Sequence, residues 1–187
     1  MPRLPDLDPA TFSAEQQRAH DAIVAGPRGA VRGPLRVWLH SPELADRAQA
    51  LGAFCRYGTG LPPRLSELAI LVTAAFWRAG YEWYAHAPIG LKAGLDPAAI
   101  EAIRTGQPPI LSRGDEATVY EFAREMLTQR HISDETYRRA AAELGPKGVV
   151  ELVGILGYYG LISMTINAFE VPLPEGAASP FSPTQPG

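Results

Sequence analysis

From Arg64 to about Arg78 the chain places Leu65, Leu68, Ala69, Leu71, Val72, Ala75 and Phe76 at helical spacing, a surface broad enough for a helix buried on most of its circumference. The same period, read with its start and stop signals, predicts seven more helices. Ala14 to Val24 opens with the capping box Ser13-Ala-Glu-Gln16. Ser41-Pro42-Glu43 starts a helix to about Tyr57, which Gly58-Thr-Gly60 stops. Tyr81 to Ala93 carries Pro88 inside it, a potential kink, and Gly94 at its end. Asp96-Pro97 to Thr105 is short. Ser112 or Asp115 begins a helix to about Gln129, and Asp134 to Leu144 is stopped by Gly145-Pro146. The last, about Lys147 to Phe169, is the most apolar. Gly26 to His40 reads as a loop leading into an apolar Pro34-Leu-Arg-Val-Trp-Leu-His40, without a firm strand signal. The expected fold class is all-α.

At 187 residues and 46% hydrophobic content the chain suits one domain, expected over residues 13–170. Residues 1–12, with three prolines, read as an extended arm of the kind that lies on a neighbouring subunit, and the proline-rich 171–187 as a poorly ordered tail. A net charge of −3 with no run of like charges argues against a nucleic-acid groove. A lone cysteine, Cys55, forms no intramolecular disulfide and reads as a core residue. No basic and then apolar leader pattern opens the chain, so a cytoplasmic location is expected. Val149 to Phe169 is long enough to span a bilayer. It nevertheless contains Ser163, Thr165, Asn167 and three glycines and lacks basic flanks, so it reads as a buried central helix. Gly154, Gly157 and Gly160 line one strip of it, which suits a subunit contact; no membrane partner is expected.

Candidate chemistry is concentrated in Arg64 to Leu95. Glu82 and His86 are four residues apart and share a helix face. Glu67 sits on the preceding helix, and a reversal at Ala79-Gly80 would bring it to that face. A histidine flanked by acids can move protons near neutral pH, one acid ionised beside it and the other kept protonated by apolar neighbours. The plain alternative is a surface pair, with Arg64 or Arg78 neutralising a glutamate. Glu82, His86 and Glu67 would also suit zinc or iron if His40 supplied a second imidazole, but nothing fixes His40 nearby, and no metal is expected. His40 reads instead as a pocket residue beside Trp38. Trp83, about 100° around the helix from Glu82, is a candidate pocket wall. Tyr158 and Tyr159 are candidates from the last helix, and Arg64, Arg78, Arg56 or Arg36 could meet a substrate carboxylate. His20 and His131 read as solvated.

This stretch resembles the signature of the carboxymuconolactone decarboxylase family, which shares its helical fold with the alkylhydroperoxidase D-like proteins. The resemblance runs from Pro62 to about Gly106, and the segment GYYGLISMTINAFEVPLP resembles the end of many members. The peroxidase branch carries a Glu and then Cys-x-x-Cys-x-x-x-His. With the histidine at His86, the glutamate falls on Glu67 and the two cysteines on Ala79 and Glu82, so both thiols are missing. The resemblance implies a homotrimer or homohexamer with pockets near subunit contacts, and cofactor-free, metal-free acid/base chemistry on a small carboxylated lactone or related acid. Glu67, Glu82 and His86 would be the catalytic groups, with His40, Trp83 and Tyr159 binding substrate. One rival is a small-molecule binding or assembly protein of the same fold. A thiol peroxidase, the other, would need a thiolate and a resolving partner.

Overall fold

The computed structural model describes residues 2–182, and the described residues form helices and connecting loops with no strand. The helices are α1 (Ala14–Ala25), α2 (Pro34–Trp38), α3 (Pro42–Ala53), α4 (Pro63–Trp77), α5 (Gly80–Lys92), α6 (Pro97–Arg104), α7 (Gly114–Gln129) and α8 (Asp134–Phe169). At Gly145 the backbone turns left-handed (φ 68°) ahead of Pro146, so α8 consists of two rods that meet where the sequence signals a stop.

The centre is α4, in which every residue from Leu65 to Ala74 is buried. Its broad apolar surface explains this, because α8, α5 and α7 pack around it on different sides. The apolar part of α8 is long enough to cross a membrane by composition alone, yet 61% of that window is buried inside the fold. Cys55 is buried as well, and burial pushes its thiol pKa up, which favours the unreactive form.

Three segments differ from the sequence reading. Residues 34–38, read as loop, form α2: Pro34 presets the first turn, and Leu35 and Trp38, three apart, are both buried. One turn and a half is too short for its period to stand out. α3 runs on into a wider π-type turn, Phe54–Gly58, that keeps Cys55 in the core. The arm, apart from a single 3-10 turn at Pro9–Thr11, lies on its own chain: Arg3 N–H donates to the Phe169 carbonyl at 3.0 Å, and Asp6 pairs with Arg36 at 2.7 Å.

The C-terminal segment is tied down as far as it is described. Arg104 donates to the Pro180 carbonyl at 2.5 Å and Arg78 to the Ser182 carbonyl at 2.7 Å, while Phe181 packs edge-on against Trp83. Proline content suggested a loose tail; one buried aromatic and two arginine-to-carbonyl bonds hold this part of it. The remaining residues, 183–187, lie outside the described chain.

Candidate active site

The site is assembled by the α4–α5 reversal. The left-handed residue that makes the turn is Arg78 (φ 51°), and Gly80 already belongs to α5. Arg78 N–H bonds back to the Ala75 carbonyl and Ala79 N–H to the Ala74 carbonyl, the double bond pattern of a Schellman ending. An arginine tolerates this conformation at a cost of roughly 1–2 kcal/mol. Its guanidinium, placed over the Phe181 ring and bonded to Ser182, offsets part of that cost. The two helices then run antiparallel, and Glu67 lies opposite His86.

All three side chains are buried, at 5%, 4% and 3% exposure for Glu67, Glu82 and His86. His86 Nδ1 is 2.7 Å from Glu67 Oε2, and Nε2 is 2.9 Å from Glu82 Oε1. With a carboxylate on each ring nitrogen, the arrangement is satisfied best when both nitrogens carry hydrogen, that is, by an imidazolium. Burial pulls the imidazole pKa down, but the Glu82 charge and the hydrogen bonds that the ring donates to both carboxylates outweigh it and raise His86 from 6.5 to about 9. Each ring nitrogen faces a different carboxylate, and among the described residues no group of three or more His, Cys, Asp or Glu side chains is placed to hold a metal ion.

A cavity of about 470 Å³ opens over this triad. Glu82 and His86 line it and Glu67 lies behind them; Tyr158 and Tyr159 of α8 and Arg28, Arg32 and Arg56 complete its polar wall. The Tyr159 ring meets His86 edge-on at 5.2 Å, and its buried hydroxyl has no hydrogen-bond partner. Burial, reinforced by the Glu82 charge, pushes the Tyr159 pKa well up, so this hydroxyl stays a donor. Arg28 donates from Nη2 to Tyr158 Oη at 2.9 Å, while its buried Nε has no partner. Gly52 makes room for that pair: a Cβ there would lie 2.1 Å from Tyr158 Oη and 2.4 Å from Arg28 Nη2.

Of the proposed binding residues, Tyr159 lies at the cavity and two others do not. Trp83 points away from it, because the rotation of about 100° between adjacent helical residues aims it at the core, where it meets Phe181 edge-on with ring centroids 5.6 Å apart. His40 is exposed at the far end of α2, with Nε2 3.1 Å from the Pro5 carbonyl, so it neither lines the cavity nor completes a metal set. Its neighbour Trp38 is taken up by Thr165, to which its indole N–H donates at 3.0 Å. Arg56 is at the cavity. Arg64 binds Asp115 at 2.6 Å and also pairs with Glu116, Arg36 is held by Asp6, and Arg78 by Ser182. Sequence reasoning missed Arg28 and Arg32. Their signal was two arginines four residues apart within the glycine-rich loop before α2, a type of segment that commonly carries binding groups.

The helices that assemble this α4–α5 hairpin have an alkylhydroperoxidase D-like fold. Residues 42–120, which include α4 and α5 entire, match the model of the Carboxymuconolactone decarboxylase family. Two solved structures share the fold. One is an uncharacterized peroxidase-related protein from Silicibacter sp. TM1040, with a TM-score of 0.71 and 16% identity over 91% of each chain. The other is an alkylhydroperoxidase AhpD core, an uncharacterized peroxidase-related protein from Ralstonia eutropha JMP134, with a TM-score of 0.74 and 13% identity over 93% of each chain. No curated protein matches the sequence significantly.

Proposed function

We propose that this protein is a cytoplasmic carboxy-lyase of the carboxymuconolactone decarboxylase type, using cofactor-free acid/base chemistry on a small carboxylated lactone or related organic acid. The observation that carries this reading is the buried imidazolium, held at 2.7 and 2.9 Å between two carboxylates at the wall of an arginine-lined cavity. Arg28, Arg32 and Arg56 supply the attraction for an acid. Loss of CO2 breaks the carbon–carbon bond to the carboxyl group and leaves its electron pair on a conjugated enolate. The Tyr159 hydroxyl, buried and unpartnered, donates to the enolate oxygen. Glu82, which faces the cavity, passes a proton from His86 Nε2 to carbon, and solvent restores the proton to His86. Glu67 touches no substrate in this scheme; it positions the ring from behind.

The thiol-peroxidase alternative finds no thiol at this site, since positions 79 and 82 are Ala79 and Glu82 and Cys55 is a core residue. A purely binding function uses the same arginines but has no need of the triad. Ultraviolet-monitored turnover of carboxymuconolactone separates the two. The wild type is expected to consume it, and Glu82→Gln to lose about 10²–10⁴-fold in rate. Equal rates in the two proteins would remove Glu82 from the chemistry, and an inert wild type would move the assignment to the binding function.

We propose further that copies of the chain associate as a homotrimer or homohexamer. The outward stripe of α8, Val150, Val153, Gly157 and Met164, repeats at the three-and-four spacing of helix pairing, and Leu44 and Leu51 of α3 with Phe54 of the turn after it extend the exposed apolar face. Light scattering is expected to give a multiple of the chain mass that falls in Val153→Glu. A monomeric wild type would rule out the association.

A further inference from the structure

Beside the first cavity lies a second, of about 380 Å³, and Arg32, Tyr81 and Pro174 line both. We propose that the two act as one bipartite site for an organic acid bearing an apolar substituent of several carbons. The acid head would sit by the arginines and His86, and the substituent would pass Tyr81 into the second chamber. This inference rests on the acid-binding reading of the first cavity and specifies the shape of its ligand.

The partition between the chambers is built into the fold. Tyr81 lies in the first turn of α5, one residue before Glu82, and its ring is packed close against Gly33, where an added Cβ would be 2.3 Å from Tyr81 Cε1. Gly33 also holds φ at 53°, so this close approach and this backbone both call for glycine. The ring therefore has a fixed support at the junction, next to the catalytic turn.

Charge distinguishes the two chambers. The first gathers Arg28, Arg56 and protonated His86 against Glu82, with Arg32 at the junction. Beyond Tyr81 the walls are Val31, Val37, Phe169, Val171 and Leu173, and the charged pair there, Arg36 and Asp6, neutralises itself at 2.7 Å. Among the described residues a second acid group would find no uncommitted cation past Arg32 in this lining, whereas a hydrocarbon group would find apolar walls. The outer wall is the N-terminal arm: Pro2 and Leu4 line the chamber, held there by Arg3 through Phe169 and Glu170. Closing this chamber is a use for an arm folded on its own chain.

Calorimetric titration of the full-length protein with unbranched monocarboxylates from butanoate to dodecanoate tests the inference. Affinity is expected to rise about fourfold per added methylene until the second chamber is full, as burial of a CH2 group gives. Val31→Trp, which fills only the second chamber, should remove that rise and leave butanoate binding unchanged. Circular dichroism would show the variant to be folded. Butanoate binding with no dependence on chain length, or a rise that survives in folded Val31→Trp, would overturn the bipartite site alone. Failure of every acid to bind would overturn the acid-binding reading and this inference with it.

Discussion

Replacing His86 with alanine is expected to abolish turnover and to destabilise the fold by about 3–5 kcal/mol, the usual cost of breaking a buried ion pair from one side. The two losses have one origin. His86 is the only cation within the triad, and its removal leaves Glu67 and Glu82 facing a void in a region where each is 5% exposed or less. For a chain of this length that is a fall in melting temperature of about 10 °C. Chemical denaturation of His86→Ala beside the Glu67→Gln/His86→Ala double variant separates electrostatics from packing. Neutralising one carboxylate should restore part of the stability, although it adds a second substitution. A double variant no more stable than His86→Ala would show that lost packing, rather than uncompensated charge, sets the cost. A His86→Ala protein with wild-type turnover would remove the histidine from the mechanism.

The grouping of Glu67, Glu82 and His86 was legible because each step of it is local. Glu82 and His86 are related by a helical turn, and Glu67 is brought over by two strongly periodic helices joined by a tight reversal. The reversal itself falls at Arg78-Ala79, one residue before the Ala79-Gly80 pair. Glycine is the ordinary left-handed residue, and nothing local announces that Arg78 will take that conformation on the strength of contacts with Phe181 and Ser182, more than a hundred residues away. The same limit explains Trp83 and the arginines. Helical geometry says that Trp83 and Glu82 point in different directions, but only the packed C-terminal segment shows which direction is core. Arg28 and Arg32 lie in a loop without period, and Arg28 is held at the cavity by its bond to Tyr158 of α8, a contact that no short-range pattern encodes. Tyr159 could be nominated from the last helix, yet its unpartnered hydroxyl, the feature that makes it chemically useful, is a property of packing alone.

Stability should also fall with rising pH across the neutral-to-basic range. The His86 pKa is about 9 in the folded protein against an ordinary 6.5, so the folded state holds this proton more tightly than the unfolded one. Below about pH 6.5 both states are protonated and the contribution is complete; it declines as pH rises and is gone once pH passes about 9. At 1.36 kcal/mol per pH unit the shift corresponds to about 3 kcal/mol. Burial raises the pKa of the Cys55 thiol, and those of Tyr158 and Tyr159, from ordinary values of 9.0 or 10.0, so their effects enter at the upper end of the range or beyond. The loss between pH 6.5 and 9 therefore belongs chiefly to His86. Unfolding free energies across that interval should decline in the wild type and stay nearly level in His86→Ala, and the wild-type rate should fall as His86 loses its proton near pH 9. A stability difference between the two proteins that is constant with pH would mean that His86 is neutral in the fold. Its two carboxylate contacts would then require a proton on one of the glutamates, and that glutamic acid, not the imidazolium, would be the resident proton donor.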